Sequence, residues 1–65
     1  MDEILKQLVA RFRAGDTDAA GPIADRMEEV GHPNAAKAHD CVRSIRGRTI
    51  FRSIAASILL SLAEE

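Results

Sequence analysis

The chain has 65 residues and a net charge of −1, with 46% hydrophobic residues and a single cysteine. This length allows one small helical domain, residues 1–65, and leaves no room for a deep-clefted enzyme. Collagenous, disulfide-framed and membrane-spanning classes are excluded by composition, and the absence of a global charge excess gives no field to steer the chain to nucleic acid or membrane.

The first predicted helix runs from about Asp2 to Ala14. Ile4, Leu5, Leu8, Val9 and Phe12 recur at spacings of three and four and form one apolar stripe. Asp2 and Glu3 favour its start through the helix dipole, and Arg11 and Arg13 its end. Gly15 is the expected left-handed residue beyond it.

The second helix carries the stripe Ala20, Ile23, Ala24, Met27 and Val30. Asp16, Thr17 and Asp18 are all competent N-caps. A start near Asp18 is preferred, with Pro22 tolerated in the first turn. In the alternative, Asp16–Gly21 is a separate turn and the helix begins at Pro22. Gly31 ends the helix, and His32-Pro33-Asn34 makes a tight connection in which His32 is expected to bond a backbone group.

The third helix is expected from Pro33 or Asn34 to Arg46, burying Ala35, Ala38, His39, Val42 and Ile45, with Gly47 as its stop. The fourth is expected from about Arg48 to Ala63. Ile50, Phe51, Ile54, Ala55, Ile58, Leu59 and Leu62 fill nearly half its circumference. Leu60 projects from a second, narrower face beside Ala56, and Ser53, Ser57 and Ser61 form a small polar stripe.

Of the 30 hydrophobic residues, 11 are Ala and only 18 are Met, Ile, Leu, Val or Phe, so the core is thin for so apolar a last helix. Small scaffolds need a staple, and lone Cys41 cannot form an internal disulfide. Self-association through the fourth helix is the resulting expectation. The fold class is therefore all-α, a small bundle of three to four short helices dimerising through the C-terminal helix. Its interface would draw on Ile50, Phe51, Ile54, Ile58, Leu59, Leu60 and Leu62, with Arg46, Arg48 and Arg52 as a polar rim or a contact for an acidic partner. An interfacial membrane helix is disfavoured, because the polar face carries serines and one arginine where a lysine-rich belt is needed.

The chemistry-bearing residues point to no reaction. Glu29-Val30-Gly31-His32 has the Glu-x-x-His spacing of di-iron bundles, but Gly31 breaks the helix between the two groups and no inward-facing glutamates complete the set. His39 reads as a hydrogen-bonded residue at the core edge. Cys41 lacks an orienting base and an oxyanion hole, and no Gly-rich phosphate loop is present. No enzyme activity, metal or cofactor is expected. A cytoplasmic location is expected from the lone thiol and an acidic rather than basic N-terminus. The rival class is a small dimeric nucleic-acid-binding regulator, with the third helix entering a groove and Arg43, Arg46, Arg48 and Arg52 on phosphates. Against it, only Asn34 and Lys37 could read base edges from the start of that helix.

Gly15-Asp16 after an amphipathic helix, then Ile23-Ala24 with Glu28-Glu29, then Gly31-His32 and Ala36, resemble the short N-terminal helical segment of some bacterial AAA+ ATPases. A looser likeness is to the helical repeat-companion segments of planctomycete proteins. The resemblance covers residues 1–46 and implies an adaptor-type domain that recognises a protein partner. No Walker motif is present after it, Pro22 and Pro33 depart from the pattern, and residues 48–65 form an apolar helix where the ATPases have a linker. ATPase activity therefore does not carry over.

Overall fold

The computed structural model describes residues 2–47 and 52–64. Helix α1 spans Glu3–Arg13 and is opened by Asp2, whose carboxylate accepts the Leu5 N–H at 3.0 Å. This is an N-cap, satisfying a donor that the helix itself cannot. Asp2 has a second role. Its two oxygens take a forked pair of hydrogen bonds from Arg26 Nε and Nη2, at 2.8 and 3.0 Å. The start of α1 is thereby held to the second helix.

The guanidinium of Arg26 and the Leu5 N–H together lower the Asp2 pKa from 3.8 to about 2. A depressed folded-state pKa means that Asp2 stabilises the fold above its unfolded pKa, and that this contribution fades as pH falls from about 4 toward 2. Asp2→Asn keeps a capping side chain but loses the charge. The urea midpoint of the native chain is expected to exceed that of Asp2→Asn at pH 6. The gap should close as pH approaches 2. A gap that stays constant would show that the ion pair contributes nothing beyond the cap.

Gly15 has φ of +109° and Gly31 has φ of +73°. Both sit where a helix must stop and the chain must turn, in the backbone region that side-chain-bearing residues avoid. Asp16 organises the connection to the second helix. It accepts from Arg11 of α1 at 2.8 Å and from the Asp18 N–H at 3.1 Å, capping a single 3-10 turn over Thr17–Ala19. Helix α2 then spans Ala20–Glu29. The boundary thus lies between the two expected starts: Asp16 caps a short turn that runs into a helix beginning before Pro22. Pro22 falls in the first turn of α2, where its missing N–H has no helical partner to lose.

Helix α3 spans Ala35–Arg46 and α4 spans Arg52–Glu64. His32 sits in the connection before α3, and its Nδ1 accepts the Asn34 N–H at 3.1 Å, as expected of a turn histidine. Helix α4 lies chiefly against α3 and also reaches α2 and α1, and α2 packs along α3. The architecture is all-α, and the described residues include no strand.

One cluster holds the helices together. Leu5, Val9 and Phe12 enter it from α1, and Ala20, Ile23, Ala24 and Met27 from α2. Ala38, Val42 and Ile45 come from α3, and Ala55, Leu59 and Ala63 from α4. The largest side chains wholly out of water are Leu5, Ile23, Met27 and Leu59. The remainder is mostly alanine, which lets backbones approach closely but removes little apolar area from water. Along α1 to α3, five positions of the expected stripes fall short of full burial, Leu8 and Ala35 being half-buried against the cluster. Ile4, at the edge of the α1 stripe in the first turn, is exposed. Val30 is exposed because α2 ends one residue before it. His39 is half-buried at the margin of the core. No polar side chain is buried among the described residues.

Gly21 has a packing role of its own. A Cβ there would meet the guanidinium of Arg46, which lies over this turn of α2. The obstruction is the far end of a flexible side chain, so it can move aside. Gly21→Ala is therefore expected to raise stability by about 0.4–1 kcal/mol, by narrowing the unfolded ensemble. A thermal melt in which the variant unfolds earlier would show that the Arg46 placement matters more than that entropy.

Candidate functional site

The outward side of α4 carries the most conspicuous exposed apolar surface among the described residues. Ile54 is 56% exposed and Ile58 is 46% exposed. They stand four residues apart and hence one above the other on the helix. Ala55, next to Ile54, and Leu59, next to Ile58, point the other way into the core. The helix cannot rotate to hide the isoleucines without pulling Leu59 out.

Between α4 and α3 the two isoleucines border a shallow groove of about 240 Å³, closed by Ala55, Asp40, Cys41 and Ser44. Asp40 forms its charged edge and pairs with Arg43 at 3.7 Å. Both side chains are largely solvated, so this pair sets the local charge pattern and adds little stability. Burial, with the neighbouring Asp40 carboxylate, pushes the Cys41 thiol pKa above its ordinary value. A thiol held protonated is a poor nucleophile, and Cys41 acts as a small apolar wall.

The expected interface residues fall into three groups. Ile54 and Ile58 are exposed. Leu60 and Leu62 are half-buried against the chain's own core, so the second face assigned to Leu60 is largely covered from within. Leu59 is 0% exposed and belongs to the intrachain core alone. Ile50, Phe51 and Arg48 lie outside the described residues, and Arg52 opens α4. Arg46, expected on the rim, is directed to Gly21 of α2 and does not border the groove. Asp40 is the charged residue that does border it. Its position one turn ahead of Arg43 and Ser44 on α3 was the available signal.

The arginines do not gather into one basic face among the described residues. Arg43 is beside Asp40, Arg46 lies over α2, and Arg26 is engaged by Asp2 and Glu29. The Glu29–His32 pair does not converge either. Glu29 is 3.1 Å from Arg26, and His32 bonds the backbone of its own turn. His39 does meet a carboxylate: its Nε2 is 3.2 Å from Glu28 Oε2.

No described helix is long and apolar enough to cross a membrane. Comparison of the chain with family models, with curated proteins and with solved structures finds no match.

Proposed function

We propose that the chain is a non-enzymatic protein–protein interaction module of adaptor type, and that it self-associates through the outward face of α4. The observation that supports this is the pair Ile54 and Ile58, exposed side by side over an apolar groove whose far wall is α3. In a two-fold dimer each patch meets its own copy, so every contact is made twice. Two isoleucines per chain then become four at the interface. Each is already about half covered, so burying the rest is worth about 0.8–1.5 kcal/mol, against about 8 kcal/mol of net free energy for micromolar affinity. Association also costs several kcal/mol of lost freedom, so the walls of the groove must supply the larger part. The charge asymmetry, −3 over residues 1–40 and +2 over residues 41–65, favours an antiparallel arrangement of copies.

Light scattering across a dilution series tests the reading. The expected result is a dimer mass at tens of micromolar that falls on dilution. A chain that stays monomeric throughout overturns it. Binding to duplex DNA with a steep salt slope would move the assignment to the nucleic-acid class.

A further inference from the structure

We propose that Asp25, Glu28 and His39 form a binding site for a divalent transition-metal ion, joining α2 to α3. One ligand atom from each lies within 4.8 Å of the other two. Around a tetrahedral ion with bonds of about 2.0–2.2 Å, two ligand atoms lie about 3.3–3.6 Å apart, so side-chain rotations that close up to about 1.5 Å bring all three onto one centre. Asp25 and Glu28 are three residues apart on α2 and share a face. His39 comes from the facing helix and already holds Nε2 at 3.2 Å from Glu28.

Three further observations bear on whether this is a site or a chance meeting of surface groups. First, each ligand comes directly after a residue that is 0% exposed: Ala24 before Asp25, Met27 before Glu28 and Ala38 before His39. The backbone beneath all three donors is thus fixed by the core, which limits where each ligand atom can go. Second, the adjacent cation is committed elsewhere. Arg26, between Asp25 and Glu28 in sequence, is turned to Asp2 and Glu29. The Asp25 side chain has no hydrogen bond or ion pair among the described residues. Third, the donor set is selective. Two carboxylates and one imidazole, with water in the remaining positions, suit zinc and its first-row neighbours. Calcium, which takes six to eight oxygens, is poorly served.

The consequence is structural. A chain this short, with an alanine-lined core and no disulfide, gains most from a link between two helices. The ion would fasten the α2–α3 pair on which α4 rests. An ion between α2 and α3 and a second copy on α4 would then staple the chain independently.

The test uses the full chain with zinc chloride alone, in a non-chelating buffer at a concentration where light scattering shows monomer. Calorimetric titration is expected to show one zinc per chain, with a rise in the thermal midpoint that magnesium does not reproduce. Loss of a group that merely orients a ligand weakens metal sites by about 10- to 100-fold, so Asp25→Asn and His39→Ala, which remove ligands, should each weaken binding by at least about tenfold. His32→Gln should leave it unchanged. If His39→Ala does not fold, Glu28→Gln, at an exposed position on α2, replaces it. Absence of zinc binding at about 100 µM, or binding that survives both Asp25→Asn and the second variant, overturns the proposal.

Discussion

Leu59→Ala is expected to leave the isolated chain largely unfolded at 25 °C. Among the described residues, Leu59 is the one large side chain that α4 places wholly out of water, and its companions on that face are Ala55 and Ala63. Truncating a buried leucine costs about 2–5 kcal/mol, more where the surroundings cannot collapse into the space. Alanines on either side have no reach to fill it. A domain of this size has a total stability of about 3–10 kcal/mol on a per-residue scale, so the loss is comparable to the whole. Ile54→Ala on the same helix, at a site 56% exposed, should change the stability of the monomer by no more than about 0.5 kcal/mol. Far-UV circular dichroism with urea titration, at a concentration below dimer dissociation, compares the two directly. A Leu59→Ala chain that keeps its helicity and midpoint would show that α4 is not integral to the core.

The second large effect is expected from Ile58→Asp. The position is half exposed in the single chain, so a carboxylate there remains solvated and the fold should survive. In a dimer it would be forced against its own copy and against Asp40, which already edges the groove. Losing one isoleucine on each side and burying two like charges should weaken association by at least about a hundredfold, or about 2.8 kcal/mol. Light scattering should then report monomer at concentrations where the native chain is dimeric, with unchanged helicity. If Ile58→Asp associates as the native chain does, the interface lies elsewhere. Comparing this variant with Leu59→Ala separates the two roles of α4, since adjacent residues are assigned to opposite faces.

Most of the fold was legible in the sequence because its determinants are local. Asp2, Gly15, Asp16 and Gly31 set helix ends through bonds to residues at most five positions away, or through a φ that glycine tolerates. The stripes of α1 and α2 obey helical periodicity, so Leu5, Val9, Phe12, Ile23 and Met27 were identifiable as core. Periodicity failed on α4. That helix is apolar over half its circumference, so the pattern could not say which part of the arc faces inward. The structure selects Ala55, Leu59 and Ala63, and leaves Ile54 and Ile58 outside.

The same limit applies to the sites. The forked Asp2–Arg26 pair joins residues 24 positions apart, and no local rule predicts it. The Asp25–Glu28–His39 cluster depends on how α2 folds back along α3. The Glu-x-x-His spacing, Glu29 to His32, spans a helix end and comes apart. The glutamate that does meet a histidine is its neighbour Glu28, which lies off every apolar stripe, so periodicity gives no sign of its partner.

The locality of the helix ends also has a kinetic meaning. Helices whose ends are set by neighbouring residues close without first finding distant partners, and a large share of local contacts goes with fast folding. What must be found at longer range is the seating of Leu59 and the clasp of Arg26 on Asp2. Leu59 is the large side chain that α4 contributes to the core, so its seating secures the folded monomer. Proteolysis of so small a chain proceeds through its transiently opened form, and anything that binds only the folded state lowers that population.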